Sequence, residues 1–405
     1  MMAEDMRLPV DIDAHPVVQA AKAIQPTLRR YKEEIEREQR MPPALVEEMR
    51  EAGFYRLLIP RAYGGLESDP LTFLRVGELL AEGCGSVGWN IANNSIGQLV
   101  VLGLPQEGTD EIYGKGPVNL AGTAVQGGGK AVEVEGGYRV SGRWQFGSGS
   151  NEAVWMLGSF QVIGDDGEPV ARPDGTGSYW RAVFKRSETE IVPGTWDVSG
   201  LRGTGSFDWT VKDAFLPERR VMVHAGAPLD NQWSRWPSVT YQLPAQCWVG
   251  PHHSSVITGL ARAGIDALIE LAGGKQPRGR PTGLLCDNPQ VQDAVGRADA
   301  ILNAGRAYRT AMITELWDTI AAGKETTLEQ RARCRLAATY AADSARQAMD
   351  LMYRAGGSTS FKRESRLAEC WRDLHTVGQT VTLAPEWYPL GGRVYLGIDP
   401  GSRMR

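Results

Sequence analysis

Apolar residues recur at three- to four-residue intervals through the first part of the chain and predict helices over 17–37, 43–52, 70–81 and 87–102. Leu45, Met49 and Phe54 keep that spacing until Gly53 stops the turn, and Phe73, Val76 and Leu80 share one face of the third helix. After Gly103 glycines become frequent and short alternating runs predict strands over 131–140, 154–162, 179–185 and 209–216, with 164–177 a surface hairpin or loop. From residue 254 helical spacing returns in longer stripes, over 289–322 and 327–354, and Gly356-Gly357 ends the second. The order predicts an α+β, mainly α chain: an N-terminal helical domain at 1–117, a small central β-barrel-like domain at 118–221, and a connection leading to a C-terminal four-helix bundle at 222–405.

Composition narrows the function more than the fold. A formal charge of −4 over 405 residues, with basic and acidic side chains interspersed, speaks against nucleic acid as a partner. No apolar run is long enough to span a bilayer and the first 16 residues lack the order of a secretory signal, so no membrane association and a cytoplasmic location are expected. Cys84, Cys247, Cys286, Cys334 and Cys370 are widely spaced and form no Cys-x-x-Cys pair; they read as reduced, mostly buried thiols, and no metal site is expected. His252-His253 are adjacent, an arrangement that seldom converges on one ion, and with Trp233, Trp236, Trp248 and Tyr241 they suggest either a pocket wall or ordinary core.

Three stretches carry more specific information. In Gly142-Arg-Trp-Gln-Phe-Gly-Ser-Gly-Ser-Asn151 a strand ends in small residues beside aromatic ones, which lets backbone approach a planar ligand while a ring covers its face. Thr195-Trp-Asp-Val-Ser-Gly-Leu-Arg-Gly-Thr-Gly-Ser206 combines glycines, hydroxyls and free amides. The third is Cys370-Trp-Arg-Asp-Leu-His-Thr-Val-Gly-Gln379. Together and in this order they resemble the acyl-CoA dehydrogenase superfamily, and within it the oxygenase components of two-component flavin-dependent monooxygenases such as para-hydroxyphenylacetate hydroxylase and dibenzothiophene monooxygenase.

The resemblance implies the acyl-CoA dehydrogenase fold as a homotetramer, reduced FMN or FAD as cofactor, a separate NAD(P)H:flavin reductase, and oxygenation of a small aromatic or heteroatom-containing substrate through a flavin C4a-hydroperoxide. It implies Trp144, Phe146, Ser148, Gly149, Thr204, Ser206, Gly356, Gly357 and Gln379 at the cofactor, and Ser148, Asn94, Thr380 and His375 at the chemistry, with Ser148 as a donor near flavin N5. The chain departs from its relatives at three places: Thr380 stands where a histidine follows the glutamine, Asn93 and Asn94 occupy the helix where another is expected, and Glu369 replaces an arginine. Asparagine and threonine bond but cannot act as bases near neutral pH, so a substrate that needs no deprotonation fits these positions better. His375 reads as a core or contact residue, and Arg372 with Asp373 as an internal ion pair. An acyl-CoA dehydrogenase or oxidase, and a flavin-binding homologue without turnover, are the alternatives.

Overall fold

Pro26 divides the first expected helix. It has no N–H to offer the preceding turn, and α1 (Pro16–Ala23) and α2 (Gln25–Glu38) meet at Ile24. The computed structural model describes residues 8–122, 128–171, 178–222, 235–277, 283–401 and 404. α3 (Pro43–Glu51) follows, then α4 (Pro70–Gly83), whose N-terminus is capped by Asp69 accepting from Leu71 and Thr72 backbone N–H. α5 (Gly85–Leu102) begins two residues before the apolar run and α6 (Gln106–Tyr113) closes the N-terminal helices.

The middle of the chain forms a seven-stranded curled sheet: β1 (Leu120–Gly122), β2 (Gly128–Val134), β3 (Gly137–Trp144), β4 (Trp155–Val162), β5 (Trp180–Lys185), β6 (Glu190–Val192) and β7 (Asp208–Pro217). The single strand expected over 131–140 is a hairpin, because Gly136 at φ +77° turns the chain between β2 and β3. Residues 172–177 of the expected surface loop lie outside the described residues, and Gly164–Gly167 form a turn bridged by Ile163 and Pro169. Inside the sheet, Trp144 stacks on Trp209 at 4.3 Å between centroids and donates its Nε1–H to Ser159 carbonyl at 2.7 Å.

The remaining helices are α7 (Val239–Gln242), α8 (Ala245–Gly274), α9 (Pro289–Ala321), α10 (Leu328–Ala355), α11 (Arg366–Val377) and α12 (Trp387–Tyr395). α8 starts nine residues before the spacing indicated, running through Pro251, and it touches α4, α5, α9, α10 and α11. It is the axis on which both helical regions pack. Close approach of α9 and α10 depends on small residues: Gly305 faces Ser344 so tightly that a β-carbon there would lie 2.8 Å from its Oγ, and Ala337, Ala341, Ala345 and Ala348 are fully buried. All five cysteines are free, and only Cys286 is exposed.

The aromatic cluster resolves as core. Trp248 packs on Phe73 and donates to Thr240 carbonyl, Trp236 meets Tyr241 and Tyr63 edge-on, and Tyr241 donates to Leu58 carbonyl. Trp233 lies outside the described residues.

Candidate active site

Strand register brings the first two sequence stretches together. β3 and β7 pair antiparallel with Trp144 opposite Trp209, so the turn leaving β3 must lie against the loop entering β7. Gly147 N–H donates to Phe207 carbonyl at 2.9 Å and Gly149 N–H to Thr204 carbonyl at 3.0 Å, extending the ladder past the strands. The hydroxyls meet as a result: Ser148 Oγ lies 2.6 Å from Ser206 Oγ, which lies 2.7 Å from Thr204 Oγ1. All three side chains are buried.

Helix α5 covers this row. Trp89 donates its indole N–H to Ser148 Oγ at 3.2 Å, and Asn90 donates to Thr204 carbonyl at 3.3 Å. The other face of Trp89 stacks on the imidazole of His253 from α8, 4.5 Å between centroids and 17° from parallel. His253 Nδ1 is 2.6 Å from Thr382 Oγ1, Nε2 is 3.5 Å from Asn93 Oδ1, and Thr382 is 3.2 Å from Thr380 Oγ1. Asn93 spends its amide on Trp89 carbonyl at 2.9 Å, so its oxygen faces the ring and Nε2 carries the hydrogen. Nδ1 then accepts from the Thr382 hydroxyl.

Electrostatics fixes the charge of this imidazole. Burial, His252 at its side and the cation of Arg335 all oppose protonation and hold His253 well below the ordinary histidine value. His252 falls to about 3, chiefly through burial. Arg335 also donates to Thr382 carbonyl at 2.6 Å while lying over the Trp387 ring, and so anchors the turn at Val381–Leu383. The site therefore presents a neutral imidazole, an indole, hydroxyls and amides. Trp89 and Thr382 went unrecognised in the sequence, although the separation of Trp89 from Asn93 by one helical turn was a usable signal, while His253 was expected, with His252, in a pocket wall or in ordinary core.

Several expected residues stand elsewhere. Trp144 is a core residue: its ring is enclosed in the sheet, where Gly158 leaves room for it, and cannot cover a ligand. Phe146, two residues on, is the exposed aromatic side chain of this stretch, 58% exposed at φ +61° beside Trp196. Asn94 points along α5 to Leu120 carbonyl and accepts from Gln98, while Asn93, one residue earlier, turns to His253. His375 bonds Asp350 at 3.1 Å and packs on Trp371, and Gln379 donates weakly to His375 carbonyl at the exposed end of α11. Gly356 and Gly357 end α10, where a β-carbon on Gly356 would strike Ser360 and Leu367. None of these four joins the Ser148 row within one chain. Arg372 and Asp373 do not pair: Asp373 turns inward to accept from Leu201 N–H at 2.7 Å, while Arg372 borders a cleft of about 300 Å³ with Arg202, Arg363, Val198 and Ser199. A second cleft of about 320 Å³ lies near Asp13, Arg75 and Arg309. Neither contains Ser148, which Trp89 closes over; the convergence of polar groups, more than open volume, marks the site.

Asp373 ties the Thr195–Ser206 loop to α11, and burial followed by the charge of Glu369 pushes its carboxyl up to about 7. A raised value contributes stability that is complete below the unfolded carboxyl range and is lost as pH rises through 7. Asp373→Asn is expected to gain about 1–2 kcal/mol on wild type between pH 5.5 and 8. Urea midpoints at the two pH values measure it, and an unchanged difference would place the carboxylate ionised throughout.

Residues 18–112 match the model for the acyl-CoA dehydrogenase N-terminal domain and residues 252–384 that for its C-terminal domain. Indole-3-acetate monooxygenase of Pseudomonas putida is 30% identical, across 91% of this chain and 90% of that one. The chain belongs to the acyl-CoA dehydrogenase family, among its flavin-dependent monooxygenases. Its fold superposes on 3-HSA hydroxylase from Rhodococcus sp. RHA1 with a TM-score of 0.88 at 27% identity, covering 98% of this chain and 100% of that one. It matches XiaF from Streptomyces sp., solved with FADH2 and glycerol, with a TM-score of 0.87 at 25% identity, covering 95% of this chain and 96% of that one. The cofactor of this flavin-dependent monooxygenase is reduced flavin. Its residues fit such a group: an exposed aromatic face at Phe146 adjoins a buried polar row, and Asn90 Oδ1 is left without a partner beside it.

Proposed function

We propose that this chain is the oxygenase component that receives reduced FMN or FAD from a separate NAD(P)H:flavin reductase and transfers one oxygen atom of O2 to a small aromatic or heteroatom-containing substrate. A homotetramer working in the cytoplasm is the form proposed. The observation that carries the reading is the junction of Ser148, Trp89 and His253, where a buried hydroxyl row meets an aromatic pair and a neutral imidazole. Bound flavin supplies the oxygen activation. The protein's own residues do the rest: Ser148 and Phe146 orient the ring, Trp89 and the α5 backbone keep water from it, and His253 with Asn93 and Thr382 offers fixed polar contacts to a substrate.

A buried histidine far below its ordinary value is a poor site for storing a proton, so His253 serves as a positioning residue. That favours aromatic N–H compounds, sulfides and electron-rich rings over substrates that must first ionise. Gly356, Gly357 and Gln379 are proposed to reach the cofactor of a neighbouring subunit. The dehydrogenase alternative needs a carboxylate near Thr380 or Val381, and the groups gathered there are hydroxyls. Mixing the protein anaerobically with reduced flavin and an aromatic heterocycle, then admitting O2, tests the proposal: product bearing one atom of labelled oxygen is expected. Hydrogen peroxide alone, with every heterocycle and sulfide tried, would contradict it.

A further inference from the structure

Arg335 is a buried cation that the proposed chemistry does not use. It projects from α10 with 1% of its surface exposed, and the fold makes room for it: a β-carbon on Gly250 of α8 would lie 1.7 Å from its Nη1. An apolar side chain would fill that space with no charge to desolvate, so what sets the guanidinium apart is what it holds. Its Nη2 donates to Thr382 carbonyl at 2.6 Å, its Nη1 to Gln246 carbonyl at 3.4 Å, and its Cζ lies 3.8 Å from the centre of the Trp387 ring. Trp387 in turn donates its indole N–H to Val381 carbonyl at 2.9 Å. Two stacked side chains therefore grip two successive carbonyls of the turn at Val381–Leu383. That turn delivers Thr382 Oγ1 to His253, 2.6 Å from Nδ1.

We infer that Arg335, braced by Trp387, is a positioning residue for His253: by fixing the Thr382 turn it holds the imidazole on Trp89 and keeps the ring hydrogen on Nε2, on the side of Asn93. The inference rests on the function proposed above, in which this imidazole meets the substrate. Which nitrogen of a neutral imidazole carries the hydrogen is set by the bond that the other nitrogen makes, and here the Thr382 hydroxyl makes it. A continuous path of contacts then runs from Arg335 through Thr382 and His253 to Trp89, which reaches Ser148. Loosening the first contact frees the last ring, not the fold alone.

NMR of the flavin-free protein carrying nitrogen-labelled histidine reads the ring directly, with the His253 signals assigned by their loss in His253→Asn. Wild type is expected to show one neutral form, with the hydrogen on Nε2. Thr382→Val keeps the shape of the side chain but removes its hydroxyl, and Arg335→Met removes the fork. Both should give a mixture of Nδ1–H and Nε2–H forms, and Thr382→Ser should restore the single form. In turnover with an aromatic heterocycle, each of the two changes should raise KM about tenfold, the size of one hydrogen bond at a buried group, and lower kcat by less. Because both act along one path, the double variant should be no worse than the poorer single one. Arg335→Lys keeps the charge as a point donor and should resemble Arg335→Met, so it decides if the methionine variant does not fold. Wild-type ring signals in Thr382→Val and in a folded Arg335 variant, or KM effects that multiply in the double variant, would overturn the inference. Absence of product from wild type would end the functional reading and leave the ring signals to decide this one.

Discussion

Ser148→Ala is expected to lower the rate of product formation by about ten- to a hundredfold, the cost of leaving a buried hydrogen-bonding group without its partner. Ser148 follows Phe146 by two residues in the turn leaving β3, and its loss also strands the Trp89 indole N–H. Oxygen consumption should continue, with hydrogen peroxide replacing product. Parallel assays of product and peroxide after a single addition of reduced flavin measure the split. Wild-type yield in the variant would remove Ser148 from the chemistry.

Glu78→Gln is expected to destabilise the fold by about 3–5 kcal/mol. Glu78 is buried in α4 where it meets α8 and α9, accepting from Arg309 at 2.6 Å, Thr258 at 2.9 Å, Arg306 at 3.2 Å and Arg75 at 3.3 Å. Burial by itself would raise its value, but Arg306, Arg309 and Arg75 prevail and hold it at about 2. A neutral amide would leave buried guanidinium charge uncompensated. The depressed value sets the sign of the pH effect: the difference from wild type is complete above the unfolded carboxyl range near 4.5 and shrinks as pH falls toward 2. Chemical denaturation from pH 7 to 3 reads both quantities. A gap below 1 kcal/mol at pH 7 would mean that water already satisfies the arginines.

How much of this was legible in the sequence depended on whether the information was local. Helices over 43–52, 70–81 and 289–322 follow from apolar spacing and end within two residues of the observed bounds, because one buried face decides each. Where a breaker residue intervened, spacing misled in both directions. Pro26 ends a helix at Ile24, whereas Pro251 is tolerated inside α8, whose neighbours hold its first two turns in place. The Ser148, Thr204 and Ser206 row was legible as two glycine-rich stretches, but its closure was not, since register between β3 and β7 is a long-range property. The same limit explains Trp144 and Phe146. Both are aromatic residues leaving one strand, and only the β7 partner shows that the first faces inward onto Trp209. Asn93 and Asn94 differ by one position on α5, about 100° around the helix axis, which composition cannot distinguish. His252-His253 were legible as pocket wall or core, but which of the two holds for His253 follows only from α8, which stacks it on Trp89 where the sequence suggested a connection.

We place the flavin ring against Phe146 with its polar edge at Ser148. A crystal structure of the protein with bound FMN tests it most directly. The expected result places Ser148 Oγ within about 3.2 Å of the ring's N5, Phe146 against the ring and His253 on the substrate side. A flavin bound elsewhere, with Ser148 still sealed beneath Trp89, would rule this placement out.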